Sequence, residues 1–308
     1  MELLTKTSFK FIEASRVSLI ISSVLILVGI VSLIVHGGPG LSIDFTGGTI
    51  LQVRITPAPE ISQVRDALNA GGFDDFQVQD FGSPDEFLIT FRKTQGGTEG
   101  IDAAEAMKNA LAKNMSGSDV EMRREESVGP KIGGELKMAA LNSVVAALVL
   151  IVLYITVRFI FRFGIAAIVA LVHDVLITLG LFSILDKEIS LSIIAAFLTI
   201  IGYSLNDTIV VFDRIRENMR LRRKESYASV VNRSINETLS RTIVTSLTTL
   251  MVAGTLFVFG GPVIHDFAFA LCIGVFVGTY SSIFVASPVL VWWHGRTVND
   301  IKRKQLAM

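Results

Sequence analysis

Cysteine, tryptophan and histidine are all scarce in this 308-residue chain: one Cys, two Trp and four His. The lone Cys272 cannot close an intrachain disulfide and cannot build a cysteine metal cluster. His36, His173, His265 and His294 show no ligand-like spacing, so neither a metal nor any other cofactor is expected. Charge is thin as well, at 18% of residues where a soluble domain carries about 25%. The 28 basic residues balance 28 acidic ones, and no excess of positive charge points to nucleic acid. What the chain has in excess is apolar: 51% hydrophobic residues and a mean hydropathy of +0.57. A soluble cytosolic enzyme, a disordered chain and a nucleic-acid-binding domain are excluded together.

The apolar residues gather in six runs, 17–35, 138–157, 163–185, 189–212, 242–264 and 267–293. Each approaches or exceeds the roughly 20 residues that an α-helix needs to cross a bilayer. The chain therefore reads as a polytopic α-helical membrane protein with six transmembrane helices. Lys6, Lys10 and Arg16 precede the first run as in a secretory signal. That run is longer than a typical signal core, and no small-residue cleavage site follows it, so it reads as an uncleaved anchor.

Six spans place both termini on one side. The N-terminus (1–16), the link after the second span, the link 213–241 and the tail (294–308) together hold 17 of the 28 Lys and Arg. The short loops 186–188 and 261–266 hold only Lys187. Positive charge stays inside, so both termini are expected in the cytoplasm, with 17–36 as the first span and 138–293 as a five-span bundle. Within the link 213–241, six basic residues from Arg214 to Lys224 alternate with Ile215, Met219 and Leu221, and Val230, Val231 and Ile235 follow. This pattern predicts a basic amphipathic helix on the membrane surface, or else an ordinary positive-inside loop.

Residues 37–137 then lie outside the cytoplasm, with 10 Lys and Arg against 16 Asp and Glu. Alternation predicts strands over 49–55, 75–81 and 86–92, with Ser83-Pro84-Asp85 as the turn between the last two, and a final polar strand over 119–126. Helices are predicted over 60–70, closed by Gly71-Gly72, and over 99–115. The order β-α-β-β-α-β is that of a ferredoxin-like α+β domain. Nothing in it looks catalytic.

An ionisable group inside a span is costly, about 2.5–3.5 kcal/mol on insertion scales, and needs a reason. Asp207 lies six residues inside the fourth span from Asp213, roughly 9 Å along the axis. Aspartate is too short to reach the headgroups from there. Either it binds and releases a proton, or it is a fixed hydrogen-bonding strut between helices. Arg241, at the start of the fifth span, is its natural cation or an ordinary interface anchor. His173 and Asp174 sit in mid-span and point about 100° apart; they extend a proton relay or, the reading favoured here, lock two helices. Gly274-x-x-x-Gly278 marks close helix approach. Gly47-Gly48 and Gly133-Gly134 flank the outer domain as turn residues or as hinges for domain motion.

Taken together these residues are recognisable. Ile43-Asp44-Phe45-Thr46-Gly47-Gly48 resembles a D-F-x-G-G element, and Val128-Gly129-Pro130-Lys131-Ile132-Gly133-Gly134-Glu135-Leu136 a V-G-P-x-x-G-x-E-L element. His173-Asp174, the run Gly202-Tyr203-Ser204-Leu205-Asn206-Asp207-Thr208 and Ser240-Arg241-Thr242 follow in the expected order. Over nearly its whole length the chain is similar to the SecF half of the SecD/SecF family of protein-export membrane proteins, within the RND superfamily. The resemblance implies Asp207 as the protonatable carboxylate, Arg241 as its functional partner, and Asn206, Asp174 and His173 beside them. It implies motif or hinge roles for Asp44, Gly47, Gly48, Gly129, Pro130 and Gly133. It implies a separate partner, SecD, with six matching spans, and work beside the SecYEG channel and YajC on preproteins delivered by SecA. The energy would be the proton motive force across a bacterial inner membrane, with protons in place of a cofactor and no enzymatic step.

Two other readings compete. A proton-coupled RND-type half-transporter for lipids or small amphiphiles would use the same acid but needs a ligand pocket in the outer domain, which is small for that task. An intramembrane protease built on Ser204 and His265, or on Asp174 and Asp207, needs nucleophile and base within hydrogen-bond reach. His265 is expected at the outer edge and Ser204 roughly three turns inside.

Overall fold

The structure, a computed structural model, describes residues 7–91, 100–115 and 117–295. Lys6, the basic tail beyond Gly295 and the start of the helix expected from residue 99 lie outside the described residues. In chain order the elements are α1 (Phe11–Val35), α2 (Ile43–Thr46), β1 (Gly48–Thr56), α3 (Ile61–Ala70), β2 (Phe76–Phe81), β3 (Ser83–Phe91), α4 (Gly100–Asn114), β4 (Asp119–Val128), α5 (Pro130–Arg158), α6 (Phe161–Ile184), α7 (Leu191–Leu221), α8 (Tyr227–Phe259) and α9 (Pro262–Ser281). A π-helical segment, Ser282–Ala286, continues α9, and helix resumes to Gly295. Among the described residues, six helices are long and apolar enough to cross a membrane: α1, α5, α6, α7, α8 and Pro262–Gly295.

The chain divides into two compact units. The sheet unit comprises Leu41–Ser143 with Glu188–Leu191. Its four strands run in the order β2-β3-β1-β4, with every neighbouring pair antiparallel. This is the ferredoxin-like topology that the pattern predicts. Alternation drives it: Leu51, Val53 and Ile55 of β1 are fully buried on one face, joined by Phe87 and Ile89 of β3. The helices cover that face with residues one turn apart, Val64, Ala67 and Leu68 from α3 and Ala104, Met107 and Leu111 from α4. The opposite face is polar, where Arg54 pairs with Asp85 at 2.7 Å and Gln52 bonds Glu86 at 3.0 Å. One turn is misplaced by the sequence pattern. Ser83-Pro84-Asp85 opens β3 rather than forming the turn, because Gly82 takes the bend alone at φ 79° and Phe81 already pairs with Ser83.

The helical unit holds the rest of the chain. Its core includes an aromatic cluster in which Phe212 meets Phe163 and Phe159 edge-on, at 5.0 and 6.1 Å between centroids. The expected surface helix over 213–241 is not formed. α7 continues to Leu221 and α8 begins at Tyr227, separated by one short turn whose Ser226 accepts the Ser229 N–H. Ile215, Val231 and Ile235 are fully buried in the helical core. The alternation that looked like a lipid-facing stripe is the inner face of two long helices packed on their neighbours.

α1 and α6 run parallel in a constant register. Ser22 meets His173 and Ser32 meets Ser183, Oγ to Oγ at 2.8 Å. Between them Gly29 lies against Gly180. The outward faces of α1 and α5 are rows of exposed apolar residues, such as Ile20, Val24, Leu27, Leu150 and Leu153, as lipid contact requires.

Candidate proton-coupling site

The buried stripe of α7 runs Ile193, Ala196, Phe197, Ile200, Ser204, Asp207, Thr208 and Val211, at three- and four-residue spacing. Asp207 thus points into the bundle, 2% exposed. α9 can approach this stripe because of its two glycines. A Cβ on Gly274 would stand 2.2 Å from Ile200 Cγ1, and one on Gly278 would stand 2.9 Å from Ser204 Cβ. The G-x-x-x-G pattern therefore serves contact within the chain.

Hydroxyls supply the shell around Asp207. Ser246 of α8 lies 3.4 Å from Asp207 Oδ2 and 2.6 Å from Thr279 Oγ1 of α9. Thr279 gives its hydrogen to the Val275 carbonyl at 2.8 Å, so the short contact is made by the Ser246 hydrogen. Asp207 receives only a long share of it. A strut between helices needs short, well-directed bonds, and this carboxyl has none among the described residues.

Two expected companions stand apart. Arg241 is exposed and makes no ion pair with Asp207. Asn206 is exposed on the other side of α7, on one stripe with Thr199 and Gly202. Thr242, next to Arg241, is buried, and its hydroxyl has no hydrogen-bond partner among the described residues. Its neighbours Thr238 and Thr245 both bond to carbonyls of their own helix.

His173 and Asp174 are buried, and four helices meet at them. His173 Nδ1 lies 2.9 Å from Asp174 Oδ1, and His173 Nε2 lies 2.9 Å from Ser22 Oγ of α1. Asp174 Oδ2 accepts from Ser204 of α7 at 2.5 Å and from Ser281 of α9 at 2.9 Å. Tyr280 stacks on the imidazole at 6.0 Å between centroids. The bond order Ser22–His173–Asp174 is that of a hydrolase triad, but the cluster is sealed from both solvent and any substrate. Ser204, the nucleophile of the protease reading, bonds to Asp174 and not to His265. Ser22, Ser204, Ser281 and Tyr280 were not foreseen as partners of the pair; the offset of 151 residues shared by Ser22–His173 and Ser32–Ser183 is a regularity that only packing reveals.

In the sheet unit, Asp44 lies in the single turn of α2, whose N-cap Ser42 accepts the Asp44 N–H at 3.3 Å. Its carboxylate accepts the Leu191 N–H, the first of α7, at 2.9 Å, while the Ser42 N–H bonds the Ile189 carbonyl at 3.0 Å. Two of the motif glycines stand at close backbone approaches. Gly48 has φ 148°, and a Cβ on it would stand 2.6 Å from the Phe91 carbonyl oxygen; one on Gly133 would stand 3.0 Å from Gly47 N. These glycines allow backbones to touch. Gly129 has open space around it, and Pro130 starts α5, where a missing N–H does no harm.

Comparison with known proteins follows the same outline. The family model for the C-terminal region of the protein export membrane proteins SecD/SecF matches residues 107–296, and that for the SecD/SecF GG motif matches 32–59. The chain is 45% identical over 295 residues to the protein translocase subunit SecF of Thermodesulfovibrio yellowstonii, covering 94% of this chain and 96% of that one. It is 48% identical to the protein translocase subunit SecF of Vibrio alginolyticus, covering 80% of this chain and 78% of that one. The crystal structure of SecDF, a translocon-associated membrane protein from Thermus thermophilus, superposes with a TM-score of 0.84 at 41% identity over 94% of this chain. This chain spans only 39% of that longer one.

Proposed function

The chain belongs to the SecD/SecF family of protein-export membrane proteins, and from that premise we propose that it is a proton-coupled subunit of preprotein export. It works with SecD beside the SecYEG channel, with YajC, on preproteins that SecA has delivered. It has both termini in the cytoplasm of a bacterial cell with the sheet unit outside the inner membrane. Asp207 is the proton site.

One observation carries this reading: Asp207 is buried in mid-helix, and the hydrogen bond it accepts from Ser246 is long and shared with Thr279. A carboxyl in that position is expensive as a structural device and useful as an exchangeable one. Moving one charge through 100 mV supplies about 2.3 kcal/mol, enough to tilt an equilibrium between two helix arrangements substantially. α7 carries Asp207, and its first N–H is held by Asp44 of the family motif. The exposed polar stripe of Thr199, Gly202 and Asn206 fits contact with SecD better than contact with lipid.

The test is export of a tagged preprotein in cells carrying wild-type chain or Asp207→Asn at equal level. Asparagine keeps the size and loses the proton. Export as slow as in a strain lacking the chain, with the SecD complex still assembled, supports the reading. Normal export in the variant overturns it.

A further inference from the structure

The turn from α5 to α6 gathers arginines that are held in place. Arg158, the last residue of α5, and Arg216 of α7 both set a guanidinium over the ring of Phe159, at 5.1 and 5.4 Å from its centroid. Phe159 is buried and meets Phe212 edge-on, so the ring is a fixed platform. Arg216 also donates to the Arg158 carbonyl at 3.3 Å, one of the carbonyls that a helix end leaves without an internal partner. Asp213 stands by both, 2.9 Å from Arg158 and 3.5 Å from Arg216. One carboxylate thus faces two guanidiniums, and a positive charge is left over.

These groups line an open cavity of about 350 Å³ together with Glu217, Arg220 and Leu221. Its α7 members, from Asp213 to Leu221, fall at i, i+3, i+4, i+7 and i+8 and so share one helix face. Glu217 already accepts from Arg214, which lies outside the lining, at 2.6 Å. Arg220 is exposed and has no ion pair among the described residues. Three guanidiniums therefore share the cavity with one carboxylate, Asp213, that serves them alone. Beside Arg158 the chain is bare apolar surface: Val157 is 88% exposed, Ile160 63% and Phe161 67%. Where a span ends, such side chains belong against acyl chains. A positive cavity next to lipid-facing side chains suits a ligand with acyl chains at one end and an anion at the other.

We propose that this cavity binds the headgroup of an anionic phospholipid, of which phosphatidylglycerol is a simple form, taken from the surrounding bilayer. Arg158 and Arg216 present flat forks to the phosphate oxygens, and Arg220 adds a further positive charge. Basic pockets between transmembrane helices recognise anionic headgroups in this way. Free phosphate shares the anionic chemistry, but a soluble ion gains nothing from Val157, Ile160 and Phe161. In the orientation proposed above the site faces the cytoplasmic leaflet; the lipid is expected there whether or not the chain couples protons to export.

The test is native mass spectrometry of the full chain released from detergent micelles that hold phosphatidylglycerol and phosphatidylcholine in equal amounts. Both lipids have the phosphate, and only phosphatidylglycerol keeps a net negative charge. The wild-type chain should retain phosphatidylglycerol in preference; equal retention overturns the proposal. Arg220 has no ion pair to lose among the described residues, so Arg220→Gln spares the fold and should weaken retention about fivefold. Arg223→Gln removes the same charge three residues further on and outside the cavity, and should retain the lipid as wild type does. Equal loss in the two variants would show unspecific attraction and overturn the site. Sodium phosphate should displace the lipid no better than sodium chloride at the same ionic strength. Specific displacement by phosphate would mean that the cavity takes a free anion, which overturns the lipid assignment.

Discussion

Gly29 of α1 and Gly180 of α6 face each other so closely that a Cβ built on either would stand 2.8 Å from the other's Cα. The contact lies between Ser22–His173 and Ser32–Ser183 in the same parallel register. Backbone meets backbone here, so no flexible side chain can give way. Gly29→Ala or Gly180→Ala should each destabilise the helical unit by about 1–3 kcal/mol, the usual range for overpacking. Gly202, with nothing within 4 Å, is the control, and Gly202→Ala should stay within about 0.5 kcal/mol. Thermal unfolding of the purified chain in detergent distinguishes the two cases.

Asp44 and the start of α7 make a second testable contact. The Leu191 N–H is one of the four that a helix start leaves without an internal partner, and Asp44 satisfies it at 2.9 Å. Asp44→Ala should weaken this helix start by about 1 kcal/mol, whereas Asp44→Asn, which keeps an accepting oxygen, should lose much less. Hydrogen exchange at the Leu191 amide reads the difference. Equal protection in both variants would show that the side chain does not hold the helix.

How much was legible beforehand depends on what kind of force made each feature. The six spans were legible because lipid demands long apolar runs, and the strands of the sheet unit because one buried face imposes alternation on Leu51, Val53 and Ile55. The continuation of α7 and α8 beyond the apolar runs was not. Arg214, Arg216 and Arg220 mask an inner face whose Ile215 is buried by packing alone. α2 is four residues long and too short to show a period, although Ser42 before Asp44 was a readable cap signal. At the site, Asp207 announced itself because a carboxylate in a span is conspicuous. The hydroxyls that bind Asp174 did not, since serines are common in spans and their partner lies up to 107 residues away.

Thr242 offers an inverse test. Its buried hydroxyl has no partner among the described residues, and an unsatisfied buried polar group is destabilising by about 1–3 kcal/mol. Thr242→Val keeps the shape and removes the group. The variant should unfold at the same temperature as wild type or higher. A lower unfolding temperature would mean that the hydroxyl is engaged in the assembled protein.

The sheet unit carries a predictable response to acid. The Ser83 hydroxyl, bonded at 2.6 Å, and the nearby Arg54 guanidinium hold the Asp85 carboxyl below its ordinary value of 3.8. A depressed folded-state value means that the ionised form is favoured by folding, so this stabilisation is present above about pH 3.8 and is lost as pH falls below it. Ser83→Ala should therefore reduce the pH dependence of amide protection in β2 and β3 below pH 4 and change little at pH 7. An unchanged acid profile would contradict the assignment.

The most direct test of the central claim is made in inverted membrane vesicles that hold the translocon, SecD and this chain. The late phase of preprotein translocation is followed with SecA inhibited, before and after an uncoupler collapses the proton gradient. Wild-type vesicles should advance the preprotein only while the gradient stands. Asp207→Asn vesicles should be slow in both conditions and indifferent to the uncoupler. If the Asp207→Asn vesicles still respond to the gradient as wild type does, Asp207 is not the proton site and the account fails.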